Sequence, residues 1–378
     1  MPSSLKGPAL FLAQGFGKPG WTTLEECAKS AAANGFTGMQ VPLWIKELID
    51  LDQAAVSTDY CQERLGRAKE AGCPIVEVAN HCETQLVCCS PAYVDLHKWV
   101  VPKELKDKCA AEICAWAQNR AMKSVAAAAN LDLTSVAAFS GTTMFPYVYP
   151  WPQRPKGMRE AAFNHLAACW LPVFNLAAEK GVDVCFELHP GEDLMDGDTF
   201  EYFLKFIGNH PRCCQILDLS HFALQGMTNV DFIAFIHDWK DRIKMWHVKD
   251  GEFVPDGNGG VYGGYNDWTK RRGRFRSLGD GMIDYRLIFQ ILGVELGMKL
   301  IACLEWECCF KRWSQGIREG VAYINAWING TPEPEATEPE AHTEGAFDDF
   351  ASGAVDTALI AKVLGIPEAQ VSTSMPKA

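Results

Sequence analysis

The chain lacks several features that would assign it to common protein classes. It has no Cys-x-x-Cys pair, although it holds 15 cysteines in 378 residues, and this absence argues against a structural zinc site or a thioredoxin-like redox site. Cysteines are adjacent at 88–89, 213–214 and 308–309. We therefore expect reduced cysteines that pack as small apolar side chains, in a cytoplasmic protein.

Long apolar runs and an excess of basic residues are also missing. No run approaches the roughly 20 apolar residues of a membrane-spanning helix, and the stretch after Met1 is too short for a cleaved signal peptide, so we expect no membrane association. The net charge of −12 opposes nucleic-acid binding, because phosphate backbones attract clustered Lys and Arg. The basic cluster Lys270–Arg276 fits either a small anionic or polyhydroxyl ligand or a solvated loop.

Strand-like and helix-like segments alternate from residue 8 to about 328. Eight such β-α units predict an α/β fold, the (β/α)₈ TIM barrel. The alternative is a doubly wound open sheet, but Gln14–Lys18 is a poor match to the Gly-rich turn that follows its first strand. The predicted strands lie at 9–13, 35–43, 73–80, 122–130, 182–190, 213–221, 243–250 and 300–307. The predicted helices lie at 22–34, before 72, and at 103–120, 156–180, 197–209, 229–239, 282–296 and 313–328.

The composition changes near Asn329. We assign residues 1–329 to the barrel and 330–378 to a C-terminal extension. Its first part, 330–340, is acidic and Pro-rich and should not pack alone. Residues 354–364 have helical apolar spacing with Gly365 as a stop, and we expect this helix to dock on the barrel or on a neighbouring subunit.

Four short phrases in the second half carry the functional signal. Each closes a predicted strand: Phe186–His189, Leu217–His221, His247–Asp250 and Leu304–Glu307. Parallel barrel strands bring their carboxyl ends to one face, where active sites form. Carboxylates and imidazoles at four such ends predict one hard-cation site. A set of three carboxylates and one imidazole suits Mn²⁺ best, and also Mg²⁺, Co²⁺ or Zn²⁺.

Such a site favours proton transfer on a sugar. A cation that binds a carbonyl and a hydroxyl acidifies the adjacent C–H bond, and Glu187 and Glu305 can act both as ligands and as proton shuttles. Three long loops, at 80–102, 133–155 and 251–281, would lie on the same face. The second is rich in aromatic residues and prolines, which suits either stacking on sugar or aromatic rings or packing over the barrel mouth.

These phrases resemble the xylose-isomerase-like sugar phosphate isomerase/epimerase superfamily over about residues 8–328. The resemblance implies substrate contacts from His221, three residues after an aspartate, and from Lys249 of the His-x-Lys-Asp phrase. It also implies that one divalent metal is held by Glu187, Asp218, His247 and Glu305.

A narrower resemblance rests on Asn80-His81, Glu187–Pro190 and Arg271–Gly281. These are similar to a subgroup that includes catalytic subunits which eliminate the aglycone from 3-keto-glycosides, among them C-glycoside deglycosidases. Ketose 3-epimerases carry an Arg-Gly-x-Pro-Gly-x-Gly phrase that this chain lacks, so the corresponding substrate-binding arginine would be Arg274 or Arg276.

Two reactions therefore share a first step. An isomerase or epimerase returns the proton, whereas a lyase expels the C1 substituent of a 3-keto-glycoside, with His81, His189 or His221 as base or acid. The net negative charge of the chain disfavours an apurinic endonuclease of the trinuclear zinc type. The full set of metal ligands disfavours a catalytically inactive barrel that serves only as a binding partner. We expect a sugar or glycoside substrate, and either a homo-oligomer or a complex with a small second subunit.

Overall fold

Eight parallel strands close into a barrel in the computed structural model, which describes residues 3–263, 265–335, 337–340, 356–371 and 373. In chain order the ten strands are β1 (Lys6–Phe11), β2 (Gly38–Pro42), β3 (Ile75–Ala79), β4 (Ser135–Ala138), β5 (Asp183–Glu187), β6 (Cys213–Leu217), β7 (Ile243–Val248), β8 (Asp250–Phe253), β9 (Gly273–Arg276) and β10 (Ile301–Leu304). The barrel order is β1-β10-β7-β6-β5-β4-β3-β2, while β8 and β9 form an antiparallel hairpin. The predicted TIM barrel is confirmed.

Helices surround the barrel and also structure the loops at the carboxyl ends of its strands. A π-helical turn at Ile291–Glu295 continues α11. The helices are α1 (Leu24–Ala33), α2 (Leu51–Ala54), α3 (Thr58–Glu70), α4 (His81–Thr84), α5 (Pro91–Val94), α6 (Ala110–Asn130), α7 (Met158–Lys180), α8 (Gly197–Phe206), α9 (Ser220–Leu224), α10 (Asn229–Trp239), α11 (Tyr285–Gln290), α12 (Trp313–Asn329) and α13 (Thr357–Leu364).

The segment before β4 differs from the prediction. The predicted strand 122–130 is wrong, and the predicted helix 103–120 has different bounds, because α6 begins at Ala110 and runs without interruption to Asn130. Residues 126–129 are four consecutive alanines, and alanine is the strongest helix former, so an apolar run that resembled a buried strand extends the helix. The fourth strand is Ser135–Ala138, and the aromatic loop therefore begins at Phe139.

The barrel interior is filled mainly by small side chains. They come from seven different strands, and Phe11 among them also lines the cavity described below, so this core ends where the cavity begins. All 15 cysteines lie within the described residues and are free thiols. The interior cluster consists of Ala9, Phe11, Ala79, Ala137, Cys185, Cys214, Ile216, Met245 and Cys303.

By length and composition alone, α7 is long and apolar enough to cross a membrane. We did not predict this from the sequence, because the apolar residues of the helix do not form an uninterrupted run. Its apolar face packs on the barrel. The Trp170 ring lies 4.7 Å from that of Phe186 in β5, and its indole N–H donates to the carbonyl oxygen of Ser140 at 2.7 Å. This packing accounts for the apolar composition of the helix.

The β8–β9 hairpin occupies the loop that was predicted at 251–281. Its base is held by buried Asp250, whose Oδ2 accepts from the N–H groups of Gly279 at 3.0 Å and Gly281 at 2.9 Å. A Cβ atom at Gly281 would lie 2.1 Å from Asp250 Oδ1, so the close approach requires glycine there. The Gly279-Asp280-Gly281 phrase is therefore a turn wrapped around Asp250.

The described residues of the C-terminal extension contact the barrel at two places. The Gln315 side chain of α12 donates to the Glu338 carbonyl at 2.9 Å and accepts from the Glu340 N–H at 2.9 Å. Lys362 of α13 forms an ion pair of 2.7 Å with Asp95. The predicted helix start at Ala354 lies outside the described residues, and the proposed domain boundary at 329 remains a prediction.

Candidate active site

Four side chains meet at the carboxyl end of the barrel. Glu187 ends β5, Asp218 follows β6, His247 lies in β7 and Glu305 follows β10. All four are buried, and one ligand atom from each lies within 4.8 Å of the other three. The structure thus brings together the side chains that the strand-end phrases predicted.

Gln40 and Glu77 orient His247 from strands β2 and β3. The His247 Nε2 atom lies 2.8 Å from Gln40 Oε1, and Gln40 Nε2 donates to Glu77 Oε2 at 3.0 Å. Because the amide oxygen only accepts, Nε2 carries a proton and Nδ1 faces the carboxylates, 2.9 Å from Glu305 Oε2. Burial lowers the pKa of His247, but Glu305 and Glu187 outweigh burial and raise it to about 10.

Lys249 places a buried positive charge among the carboxylates. Its Nζ lies 2.9 Å from Glu305 Oε2, 3.0 Å from Glu307 Oε2 and 3.1 Å from Asp218 Oδ2. Burial would lower the pKa of Lys249, but Asp218 and Glu305 raise it well above its ordinary value. The backbone of Lys249 is fixed by the Tyr285 hydroxyl, which donates to its carbonyl at 2.6 Å.

Glu187 is surrounded by imidazoles. His221 Nε2 donates to Glu187 Oε1 at 2.7 Å, and His81 Nε2 lies 3.1 Å from Oε2. Burial would raise the pKa of Glu187, but Lys249 and His221 outweigh burial and hold it well below its usual value. Glu187 is therefore ionised and able to bind a cation.

His189 offers a neutral imidazole beside this group. Its Nδ1 lies 2.5 Å from the Pro190 carbonyl oxygen, which can only accept, so Nδ1 carries the proton and Nε2 keeps its lone pair. Burial and the neighbouring His221 lower the pKa of His189 well below its ordinary value. The ring packs against those of His221 and Phe139, with centroids 4.0 and 5.0 Å away.

A cavity of about 770 Å³ opens above these residues, within the usual range for small-molecule sites. Its polar wall includes Glu187, Glu305, Lys249, His81 and His189. Gln14 also lines it and donates to Glu305 Oε1 at 2.8 Å. The aromatic part of the lining consists of Phe11, Phe16, Trp44, Trp99, Phe139 and Trp306.

Arg274 and Arg276 lie on β9 and are not among the residues that line the cavity. Both pair with Glu252 of β8, at 2.6 and 2.7 Å, and both stack on the Phe310 ring. Arg272 pairs with Asp256 at 2.6 Å. The basic cluster is thus held within the hairpin, and substrate binding by Arg274 or Arg276 remains a prediction.

The model of the xylose isomerase-like TIM barrel family matches residues 28–327. The chain belongs to that family. It is 25% identical to inosose dehydratase from Klebsiella pneumoniae (strain 342) over 139 residues, which cover 35% of this chain and 44% of the relative. The chain therefore spans less than half the length of that relative.

Solved structures of the same fold also match this xylose isomerase-like barrel. A 3-keto-D-glucoside 4-epimerase from E. coli is 14% identical with a TM-score of 0.56, over 87% of this chain and 100% of the other. A xylose isomerase-like protein from Mycobacterium smegmatis in complex with magnesium is 16% identical with a TM-score of 0.54, over 87% and 99%. Identities this low establish the fold alone.

The four-residue group of this xylose isomerase-like barrel fits a hard divalent cation. Among the described side chains, Asp218 Oδ2 and His247 Nδ1 are buried atoms that contact Lys249 and Glu305 at 3.1 and 2.9 Å but make no hydrogen bond of good geometry. Such atoms are costly to bury unless a ligand or ion satisfies them. Three carboxylates with one imidazole form the donor set that Mn²⁺ and Mg²⁺ accept.

Some site residues were not predicted. Gln40 and Glu77 are polar residues within otherwise apolar strands, and that contrast was the available signal. Trp44 and Trp99 come from loops that are distant from each other in the sequence, and no sequence pattern indicated that either residue lines the cavity. In the aromatic loop, Phe139 lines the cavity, whereas Trp151 is 70% exposed and absent from its wall.

Proposed function

We propose that this protein is a divalent-metal-dependent enzyme that moves a proton at a sugar carbon beside a carbonyl, as sugar isomerases and epimerases do. The observation that carries the proposal is that two members of the four-residue group, Glu187 and Glu305, line the same cavity as Lys249 and His189. Metal ligands, a fixed cation and a neutral imidazole together supply what such a proton transfer requires.

The ion would be held by four residues, with Mn²⁺ as the preferred metal and Mg²⁺, Co²⁺ or Zn²⁺ compatible with the same donors. When bound, a divalent cation would polarise the sugar carbonyl and make the adjacent C–H bond more acidic. The ligands are Glu187, Asp218, His247 and Glu305.

The chain's own residues would carry the proton. Glu187 and Glu305 are the candidate shuttles on the polar wall, and His189 Nε2 is a further acceptor because its lone pair is free of the Pro190 contact. Lys249 would stabilise negative charge that develops on a substrate oxygen. His221 acts through Glu187, to which it donates, and is proposed to contact substrate oxygens.

A second function is favoured by the cavity's aromatic wall. A lyase that eliminates the aglycone from 3-keto-O- or C-glycosides needs an apolar surface for the leaving group and an acid beside it. Trp44, Trp99 and Trp306 provide the first, and the second would be His81, or His189 once it has taken up the substrate proton. Both reactions begin with removal of the same proton. An apurinic endonuclease receives less support, because the arginines of the basic cluster are paired within the hairpin.

Mass spectrometry of Mn²⁺-loaded protein in D₂O would test the proposal. Free ketoses, free aldoses and 3-keto-O- and C-glycosides would be supplied separately. Deuterium in a sugar that is otherwise intact or isomerised supports the isomerase or epimerase, whereas release of an aglycone that depends on the keto group supports the lyase. If neither product forms across the panel, the proposal fails for the chain acting alone.

A further inference from the structure

A second group of metal-binding side chains lies apart from the cavity wall. It joins Cys88, from the segment between β3 and β4, to His165 and Cys169 of α7. One ligand atom of each lies within 4.8 Å of the other two. None of the three lines the cavity or contributes to the proposed reaction.

The spacing of these atoms suits a tetrahedral ion. His165 and Cys169 are four residues apart on one helix and therefore share a face. His165 Nε2 lies 3.9 Å from Cys169 Sγ. Zinc bonds of about 2.3 Å to sulfur and about 2.05 Å to nitrogen would place these atoms roughly 3.6 Å apart at a tetrahedral angle. The observed distance is close to this without any movement of the helix.

The third ligand, the sulfur of Cys88, is held by a rigid backbone. The Cys88 carbonyl accepts from the Thr142 N–H at 2.7 Å, and a Cβ atom at Gly141 would lie 2.4 Å from that carbonyl oxygen. The chain can approach this closely because Gly141 has φ +109°. Cys88 Sγ also contacts Thr143 Oγ1 at 2.8 Å. The sulfur is thus fixed in position before any ion binds.

Packing in the apolar core is a sufficient reason for a cysteine at position 88, but it explains Cys169 and His165 less well. Cys88 is buried like a small apolar side chain, but Cys169 is half-buried and His165 is exposed, so an ion could reach the group from solvent. Two cysteine sulfurs and one imidazole nitrogen are donors that zinc commonly takes in proteins.

We propose that Cys88, His165 and Cys169 bind one Zn²⁺ ion whose fourth position is open to water. Three protein ligands with one open position form a common zinc arrangement. The ion would tie α7 to the segment after β3 that also carries His81 and so stabilise the cavity wall. The lack of a Cys-x-x-Cys pair argued against a structural zinc site. The three ligands proposed here lie far apart in the sequence, so that motif could not reveal them.

Cobalt titration of the full-length, metal-free, reduced protein would test this assignment. Thiolate ligands give Co²⁺ an intense sulfur-to-metal charge-transfer band in the near ultraviolet, which a carboxylate and imidazole site cannot give. We expect a band whose intensity at saturation corresponds to one thiolate-bound Co²⁺ per chain, whatever Co²⁺ the carboxylate site also takes up, and its displacement by Zn²⁺. Cys169→Ser, on the half-buried helix face, should abolish it, whereas exposed Cys109→Ser is the matched control and should retain it.

The Glu305→Gln variant separates this site from the proposed active site. It should lose turnover and keep the charge-transfer band, so the two proposals fail independently. Absence of the band in the reduced wild type would overturn the zinc site, as would a band that survives Cys169→Ser in a protein with unchanged circular dichroism. A Cys88–Cys169 disulfide in protein alkylated on extraction would also overturn it, in favour of a redox pair.

Discussion

The Nζ atom of Lys249 lies 2.9 Å from Oε2 of Glu305, an oxygen that is also 2.9 Å from His247 Nδ1. A lysine and a candidate metal ligand therefore share one carboxylate oxygen. The ammonium group offsets the negative charge that buried carboxylates would otherwise leave uncompensated. It would also set the charge balance for the proposed metal binding and turnover.

Replacing Glu305 with glutamine should reduce turnover by about 10²–10⁴-fold, because it removes both a ligand charge and a proton shuttle. Bound Mn²⁺, measured by elemental analysis after gel filtration, should fall in parallel. The surface substitution Glu63→Gln should leave both quantities at the wild-type level. Wild-type turnover in Glu305→Gln would contradict the proposed site.

Lys249→Met should lower turnover by about 100-fold or more, because it removes the charge that stabilises a substrate oxygen. Metal binding should be retained or strengthened, since a positive charge leaves the site. Isothermal titration with Mn²⁺ and single-turnover kinetics would separate the two effects.

Lys311 is the matched control for Lys249. It is equally buried and pairs with Asp280 and Glu319 outside the cavity wall. Lys311→Met should destabilise the fold but leave turnover per folded molecule unchanged. Equal losses of turnover in both variants would show that the Lys249 effect is structural.

Gln40→Leu should weaken metal binding by about 10–100-fold, because it removes the hydrogen bond that orients His247. Competition with a fluorescent chelator would measure the change. Gln215→Leu is the control, since this buried glutamine in β6 lies next to residues of the barrel core but its side chain makes no hydrogen bond within the described part of the chain. Equal affinity in the two variants would exclude the orienting role.

Glu192 should make stability depend on pH. Burial raises its pKa to about 8 in the folded protein, against 4.5 ordinarily, and Gly141 N–H donates to it at 2.6 Å. Between these values the folded state binds more protons than the unfolded state, so the free energy of unfolding should fall as pH rises from 4.5 to 8. Urea denaturation should show a smaller fall in Glu192→Gln, and an unchanged profile would contradict this.

Trp99→Ala should raise the KM for glycosides with large aglycones and leave the KM for free sugars unchanged. Trp99 lines the cavity although 60% of it is exposed, so the substitution need not disturb the core. Trp151→Ala removes a similarly exposed tryptophan that does not line the cavity and should have no effect. Equal changes for both substrate types would remove this support for the lyase.

The second half of the barrel was predictable because its strands end in chemically distinct residues. Glu187, Asp218, His247 and Glu305 each follow or end an apolar run, and period-two alternation with parallel topology places them together. The error at α6 arose because its alanines are apolar without favouring a strand. Gln40 and Trp99 could not be assigned, since their roles depend on contacts between distant parts of the chain.

The turn around Asp250 separates the hairpin's base from its tip. Gly279 and Gly281 clamp the point where β8 leaves the barrel, directly after Lys249. Changes in the length or composition of the tip between Phe253 and Gly273 would therefore leave Lys249 in place. The described part of the hairpin supplies none of the residues that line the cavity, so its tip and the cavity wall are free to vary separately.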